Sequence, residues 1–185
     1  MTPFLTFVTR CCNRPQMLAT NIASVEMQID NDYNQVFIDD PLRLGLYAAN
    51  CNLYSNRHRV TGEYVYILDD DTALIVPDFV STIRQLAKNQ KCDIIMVKSY
   101  WLATSQGRVI LPRQEFWQRP PVKGQIDTLN FIVRNGVWQR HIHEFCQPRC
   151  GDFHFAKALF EQDYSICWLD EIMAATQQIG SLTGR

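Results

Sequence analysis

The sequence predicts an α/β protein: one domain over residues 1–185, built on a Rossmann-type open mixed sheet with helices on both faces. Two observations carry this expectation. Short β-branched and aromatic runs alternate with helically spaced apolar stretches through the first hundred residues. Alternation in that order favours parallel strands joined by right-handed crossovers. A length of 185 residues is that of a single domain, and no repeat, low-complexity tract or long linker divides it.

The elements follow in order. Phe4 to Thr9 is a β-branched and aromatic run that stops at Cys12-Asn13-Arg14-Pro15. Met17, Leu18, Ile22, Val25 and Ile29 recur at helical spacing, and Pro15 suits the first turn because its missing N–H would be unpaired there. Gln35 to Ile38 is a second strand, ended by Asp39-Asp40-Pro41. A less regular helix runs from about Leu42 to Arg57. Gly62 breaks the chain before a third strand, Tyr64 to Leu68, which ends in Asp69-Asp70-Asp71. Pro77 opens a helix with Phe79, Val80, Ile83, Leu86 and Ala87 on one face, and Cys92 to Val97 is a fourth strand.

Beyond residue 98 the pattern changes. Val109 to Leu111 and Asn130 to Val133 are strand candidates, separated by a loop rich in Arg, Gln and Pro. Asn135-Gly136 reads as a turn. A helix is expected from Gly151 to about Gln162 and a last short strand from Ser165 to Leu169. The tail after Asp170 carries only weak signals.

Composition narrows the function. Hydrophobic residues make up 46% and charged residues 20%, which is globular usage. Lys and Arg number 18 against 19 Asp and Glu, for a net charge of −1. Without a global basic field or a basic stripe, nucleic acid is not an expected partner. Seven cysteines without a C-x-x-C pair, several of them in apolar runs, read as reduced small hydrophobes. The start lacks leader character, and no run of ~18 apolar residues could span a bilayer. Together these lead to the expectation of a cytoplasmic protein.

Open α/β sheets bind ligands beyond the carboxyl ends of their strands. Three expected strands end there in polar clusters: Arg10 to Arg14, Asp39-Asp40, and Asp69-Asp70-Asp71. Polar residues also simply mark where strands stop, and that suffices for Asp39-Asp40 alone. The triplet asks for more. Two carboxylates ~5 Å apart at an effective dielectric of ~20 repel by ~3 kcal/mol, and a divalent cation reverses the sign. In an extended segment Asp69 and Asp71 share a side and Asp70 faces away. Hard oxygen donors in an Asp-x-Asp pair suit Mg²⁺ or Mn²⁺ together with substrate phosphates. The alternative is a solvated acidic turn that caps the next helix.

Other patterns have simpler readings as well. If extended, His141 and His143 share a face and could bind zinc with Cys146 or Cys150, although core or surface histidines need no such partner. Trp101, Trp117, Trp138 and Trp168 could stack on sugars or pack in the core. Trp117, inside the Arg/Gln/Pro loop, is the better placed for a ligand. An aspartyl-phosphate hydrolase would carry D-x-D-x-T on its first strand, whereas Thr72 stands one position early on the third.

In order along the chain, Asn13-Arg14-Pro15 after the first strand, Asp39-Asp40 after the second, Gly62-Glu63-Tyr64 leading into the strand that ends in Asp69-Asp70-Asp71, and Gly151-Asp152-Phe153 resemble the motifs of the GT-A glycosyltransferases, closest to the family-2 type. The resemblance covers residues 4–97 well and 98–185 thinly. It implies a GT-A fold with a nucleotide-binding half (1–98) and an acceptor-side half (99–185). It implies transfer of a sugar from a UDP- or GDP-sugar to a saccharide or other hydroxyl acceptor, assisted by Mn²⁺ or Mg²⁺. Thr9, Arg10, Arg14, Asp39, Asn52, Asp69 and Asp70 are implied on the nucleotide, Asp69 and Asp71 on the metal, and Asp152 as the catalytic base, with an N-cap of the following helix as the equal alternative for Asp152. Trp117 and His154 are placed toward the acceptor. Two departures stand out. Arg10-Cys11-Cys12 replaces the family's Pro-Thr-Tyr, and Gly151 replaces the first of two adjacent acids. A relative that binds nucleotide without transferring a sugar is the alternative.

Overall fold

The computed structural model describes residues 2–40, 44–103 and 107–177. Strand β1 (Leu5–Cys11) leads through α1 (Pro15–Glu26) to β2 (Tyr33–Asp39), and α2 (Leu46–Ser55) returns the chain to β3 (Tyr64–Ile67). The expected start of the second helix at Leu42 lies outside the described residues. A short β4 (Thr72–Leu74) precedes α3 (Phe79–Gln90), then β5 (Ile94–Ala103), β6 (Gly107–Leu111), β7 (Phe131–Arg134), α4 (Asn135–His141), α5 (Gly151–Phe160) and β8 (Ile166–Thr176).

The strands form one mixed sheet in the order β2-β1-β3-β7-β5-β8-β4, with β6 folded back on β5. β1 pairs parallel with both β2 and β3, and β5 parallel with β8. β7 runs antiparallel to β3 and to β5 and separates them. The fourth strand expected from the sequence therefore does not extend the parallel set directly.

Period-two alternation splits the apolar residues into two cores. Leu5, Phe7, Tyr64, Tyr66, Ile95 and Ile132 face one side, where Phe79, Val80 and Ile83 of α3 and Val25 of α1 cover them. Val8, Val65, Ile67, Met96 and Val133 face the other, under Leu53 of α2, Trp138 of α4 and Phe155 and Leu159 of α5. Helices on both faces are thus as expected. Gly62 shows why the third strand needs a glycine before it: a Cβ there would lie 2.6 Å from the Thr6 amide nitrogen and 2.7 Å from its hydroxyl. The Gly62 N–H instead donates to Thr6 Oγ1 at 2.8 Å.

Four expectations are corrected. Asn135-Gly136 begins α4 rather than a turn. Asn135 there donates through Nδ2 to the Gly62 and Val60 carbonyls, so a tertiary contact overrides the local turn signal. The last strand continues past Leu169 to Thr176, because the register with β5 slips between Trp168 and Ile172 and accommodates Asp170 and Glu171. β4, only three residues long, has no periodicity to read. Cys92 and Cys167 are joined in a disulfide with Cα atoms 5.7 Å apart, while Cys11, Cys12, Cys51, Cys146 and Cys150 are free. The pairing of β5 with β8 brings together two cysteines 75 residues apart, so seven reduced thiols no longer support the cytoplasmic expectation. No described helix is long and apolar enough to cross a membrane.

Candidate active site

Alternation along β1 and β3 aims the strand-end charges. Arg10 follows Val8 onto the face covered by α2, and Asp69 follows Val65 and Ile67 onto the same face. There Arg10 grips Asp69 with two bonds, Nε to Oδ1 at 2.6 Å and Nη2 to Oδ2 at 2.5 Å. Its third nitrogen, Nη1, donates to Asn50 Oδ1 of α2 at 2.5 Å. Asp70 turns to the opposite side, fully buried. It accepts from the Cys12 N–H at 2.7 Å and from Arg14. The second Arg14 nitrogen reaches Asp71 Oδ2 at 2.5 Å.

The backbone of the triplet is held as firmly as its side chains. Asn21 of α1 donates through Nδ2 to the Leu68, Asp69 and Thr72 carbonyls at 3.2, 2.9 and 3.0 Å. Gln177 donates to the Asp70 and Thr72 carbonyls at 3.2 and 3.1 Å. Buried carbonyls at a strand end need such partners, and two side chains far apart in sequence supply them.

Above this floor lies a cleft of about 320 Å³. Asp69, Asp71, Asp127 and Asp152 line it together with Arg10 and Asn50, while Leu46 and Trp101 form apolar wall. Asp69 and Asp71 thus share the cleft and Asp70 does not; the grouping is the expected one, but it is made by a turn closed by the Thr72 N–H on the Asp69 carbonyl at 2.9 Å and not by an extended segment. Asp127 and Asn50 are the residues that sequence reasoning missed. Asp127 stands alone in a loop, and its only local signal, the spacing to Asn130, marks the cap of the short 3-10 helix Thr128–Asn130. Asn50 is a polar residue in a helix whose neighbours Ala49 and Leu53 are buried.

Gly151 has a physical reason. A Cβ there would lie 2.5 Å from the Phe145 carbonyl oxygen and 2.8 Å from Asn50 Nδ2. An acidic side chain at 151 would displace the asparagine that holds Arg10. Asp152 is in the first turn of α5 and accepts from the Phe153 N–H at 2.9 Å. It is not the cap of that helix, since Cys150 occupies the cap position.

Three of the cleft carboxyls hold their protons more tightly than usual. Burial, and then the charge of Asp152, pushes Asp127 up to about 6. Burial raises Asp152 as well, against the Phe153 amide and Arg10, and raises Asp71, to which Asp69 adds. Since the folded protein keeps a proton on Asp127 at a pH where the unfolded chain has lost it, stability falls as pH rises from about 4 to about 6. Asp127→Asn should therefore raise stability at pH 7 by about 1–3 kcal/mol and leave it unchanged below pH ~4. An Asn at 127 still accepts from the Leu129 N–H, so the cap survives. Thermal melts of both proteins across this range check it.

The remaining candidates lie off the cleft lining. Thr9 faces α1, where its hydroxyl accepts from Gln35 Nε2 at 2.8 Å. Asp39 is exposed at the end of β2, and Asn52 donates to its carbonyl at 2.9 Å. Trp117 is buried in the second core, edge-on to Trp168 at 5.0 Å with Lys98 over its ring at 4.9 Å. His154 is exposed on α5. His141 and His143 do not extend side by side. His141 ends α4 and meets the Tyr164 hydroxyl at 3.0 Å, while His143 follows in a 3-10 turn beside Glu144. Helical geometry separates the two rings, and among the described residues no three His, Cys, Asp or Glu side chains are grouped to hold a metal.

The open mixed sheet with helices on both faces is a GT-A-like α/β fold, and solved structures share it. TarS from S. aureus superposes with a TM-score of 0.72 at 13% identity, over 94% of this chain and 36% of that one. Its fragment 1–349 in complex with UDP-GlcNAc matches at 0.69 and 13%, over 98% and 61%. The mannosyltransferase PcManGT from Pyrobaculum calidifontis, in complex with GDP-Man and Mn²⁺, matches at 0.67 and 13%, over 98% and 59%. The chain thus spans between about a third and three-fifths of the length of these proteins. No protein-family model and no curated protein matches the sequence.

Proposed function

We propose that the protein transfers a sugar from a UDP- or GDP-sugar to a hydroxyl acceptor, with Mn²⁺ or Mg²⁺ assisting. The observation that carries this reading is the convergence of Asp69, Asp71 and Asp152 on one cleft with Arg10 at its base. Structures of the same fold with UDP-GlcNAc and with GDP-Man and Mn²⁺ support it.

The donor set fits a hard cation at Asp71. Arg14 takes one of its oxygens, and no described residue donates to the other. Asp69 fits less well, because Arg10 engages both of its oxygens. Mg²⁺ and Mn²⁺ at phosphate sites typically use one or two carboxylates, so Asp71 with substrate phosphates suffices. Charge argues the same way. A diphosphate entering among four carboxylates meets repulsion of about 3 kcal/mol per pair at ~6 Å and an effective dielectric of ~20. A bound cation would offset that repulsion and stabilise the departing diphosphate.

The protein's own groups do the rest. Arg10 fixes Asp69 toward the nucleotide side, and Arg14 holds Asp70 and Asp71 in register. Asp152, with its raised proton affinity, takes the acceptor hydroxyl proton as that oxygen attacks the anomeric carbon. Residues up to 98 hold the donor, and those beyond contribute the acceptor side. Engagement of the whole triplet by Arg10 and Arg14 favours one second reading, a nucleotide binder that does not turn over.

Calorimetry with UDP, GDP and their sugars, with and without Mn²⁺, tests the proposal. The expected result is metal-dependent binding, with stabilisation of about 2.7 kcal/mol at a ligand concentration 100 times Kd. No nucleotide binding in the presence of Mn²⁺ or Mg²⁺ removes it. Binding without release of UDP or GDP from any sugar nucleotide selects the second reading.

A further inference from the structure

We propose that Trp101 is the platform on which the acceptor rests, and that the acceptor is accordingly a saccharide. This deepens the transferase reading and rests on it.

Trp101 lines the cleft at 39% exposure. Two other tryptophans behave as core anchors: Trp138 is 1% and Trp117 8% exposed. An indole left open to water forgoes much of the ~1.5–3 kcal/mol that burial of a large apolar side chain contributes. An exposed indole that borders four carboxylates is therefore placed for something other than folding. Its surroundings are amphipathic. Leu46, 53% exposed, and the buried Phe145 are the other large apolar side chains of the lining, and Asp127, Asp152 and Thr128 supply polar atoms nearby. A pyranose ring matches such a wall, with C–H bonds on its faces for the aromatic ring and hydroxyls at its rim for carboxylates. The Oδ1 of Asp127 is committed to the Leu129 amide and the Thr128 hydroxyl, at 3.1 Å each. Together with Asp152, Asp127 sets carboxylate oxygens along the same cleft as the indole, where a sugar hydroxyl can donate.

Topology sets Trp101 apart from the ends of the first two strands. In the strand order β2-β1-β3-β7-β5, the Asp69 to Asp71 triplet follows β3, and β1 and β2 lie on one side of it. Trp101 belongs to β5, two strands away on the other side. A donor whose diphosphate lies at Asp71 and whose nucleoside extends toward β1 and β2 leaves Trp101 free for the molecule that attacks.

Tryptophan fluorescence of the full chain tests this directly. Maltose, cellobiose and N,N′-diacetylchitobiose are titrated separately, and so are UDP and GDP with Mn²⁺. We expect at least one saccharide to shift the emission saturably and to protect the protein from acrylamide quenching. Trp101→Ala should abolish that response and weaken the saccharide about tenfold by calorimetry, with nucleotide affinity unchanged. Trp101→Phe, which keeps an aromatic face, should retain part of the affinity. The proposal is overturned if no saccharide protects Trp101, or if Trp101→Ala weakens UDP or GDP while sparing the saccharide, which would make the ring a nucleobase platform. Failure of the transferase reading shows separately, as wild-type protein that binds no nucleotide.

Discussion

Arg10→Ala is expected to lower stability by about 3–5 kcal/mol and to abolish nucleotide binding along with it. Arg10 and Asp69 retain only 10% and 16% side-chain exposure, so their pairing is not that of a surface ion pair. Burial on its own works against the guanidinium charge, but the contact with Asp69 outweighs it and holds the proton more firmly than usual. Removal of the guanidinium leaves Asp69 without its cation beside Asp71, Asp127 and Asp152, and leaves Asn50 Oδ1 without its donor. Breaking one side of a buried pair is costly for that reason, whereas an exposed pair contributes ~0–1 kcal/mol. Arg10→Lys should recover only part of the loss, because an ammonium cannot grip both Asp69 oxygens and Asn50 in one planar fork. Urea denaturation measures both variants. A loss under ~1 kcal/mol for Arg10→Ala would mean that water screens the cleft, and the shifts ascribed to burial at Asp127 and Asp152 would lose their cause.

The parts of this site that could be read from the sequence are those whose logic is local. Asp69 and Asp71 share the cleft, the grouping that their spacing predicts, although a turn closed by the Thr72 N–H on the Asp69 carbonyl arranges them rather than an extended segment. Arg10 joins them because β1 and β3 are adjacent parallel strands, and the alternation of apolar residues sets its face. Three contributions depended on contacts that no spacing reveals. Asp127 reaches the cleft only because β7 inserts between β3 and β5 and brings its preceding loop over the strand ends. Asn50 was missed in favour of Asn52. About half a turn of α2 separates a residue facing Arg10 from one tied to the Asp39 carbonyl, and the weak amphipathic pattern of that helix does not choose between them. Trp117 was preferred to Trp101 because it sits in a loop rich in polar residues. The loop folds inward, and its tryptophan packs on Trp168, while Trp101, in an apolar strand, is the one that faces solvent. The disulfide likewise depends on which strands become neighbours. Gly151 is the opposite case. It departs from the family pattern, yet its close approach to Phe145 and Asn50 makes the departure a packing requirement of this chain.

Asp152→Asn should reduce sugar transfer by about 10²–10⁴-fold while nucleotide binding persists. The amide keeps the shape and can still accept from the Phe153 N–H, so the first turn of α5 is undisturbed. What it loses is the capacity to take a proton. The residue suits that task because its surroundings raise its proton affinity without a cation bonded directly to it. Burial is the main cause, and the nearby charges of Arg10 and Asp69 pull in opposite directions. A base that binds a proton more readily than a free carboxylate is better matched to a hydroxyl whose acidity rises only as the new bond forms. Two further consequences separate this role from a structural one. Transfer in the wild type should fall as pH drops through the raised range of Asp152, since its protonated form cannot act as a base. Stability should move the other way, because removal of a desolvated charge makes Asp152→Asn at least as stable as the wild type at pH 7. A variant that loses activity and melts at lower temperature would place Asp152 in the architecture of α5. A variant that transfers normally would move the proton-accepting role to Asp127, which is also raised and, unlike Asp71, is not bonded to an arginine in the cleft.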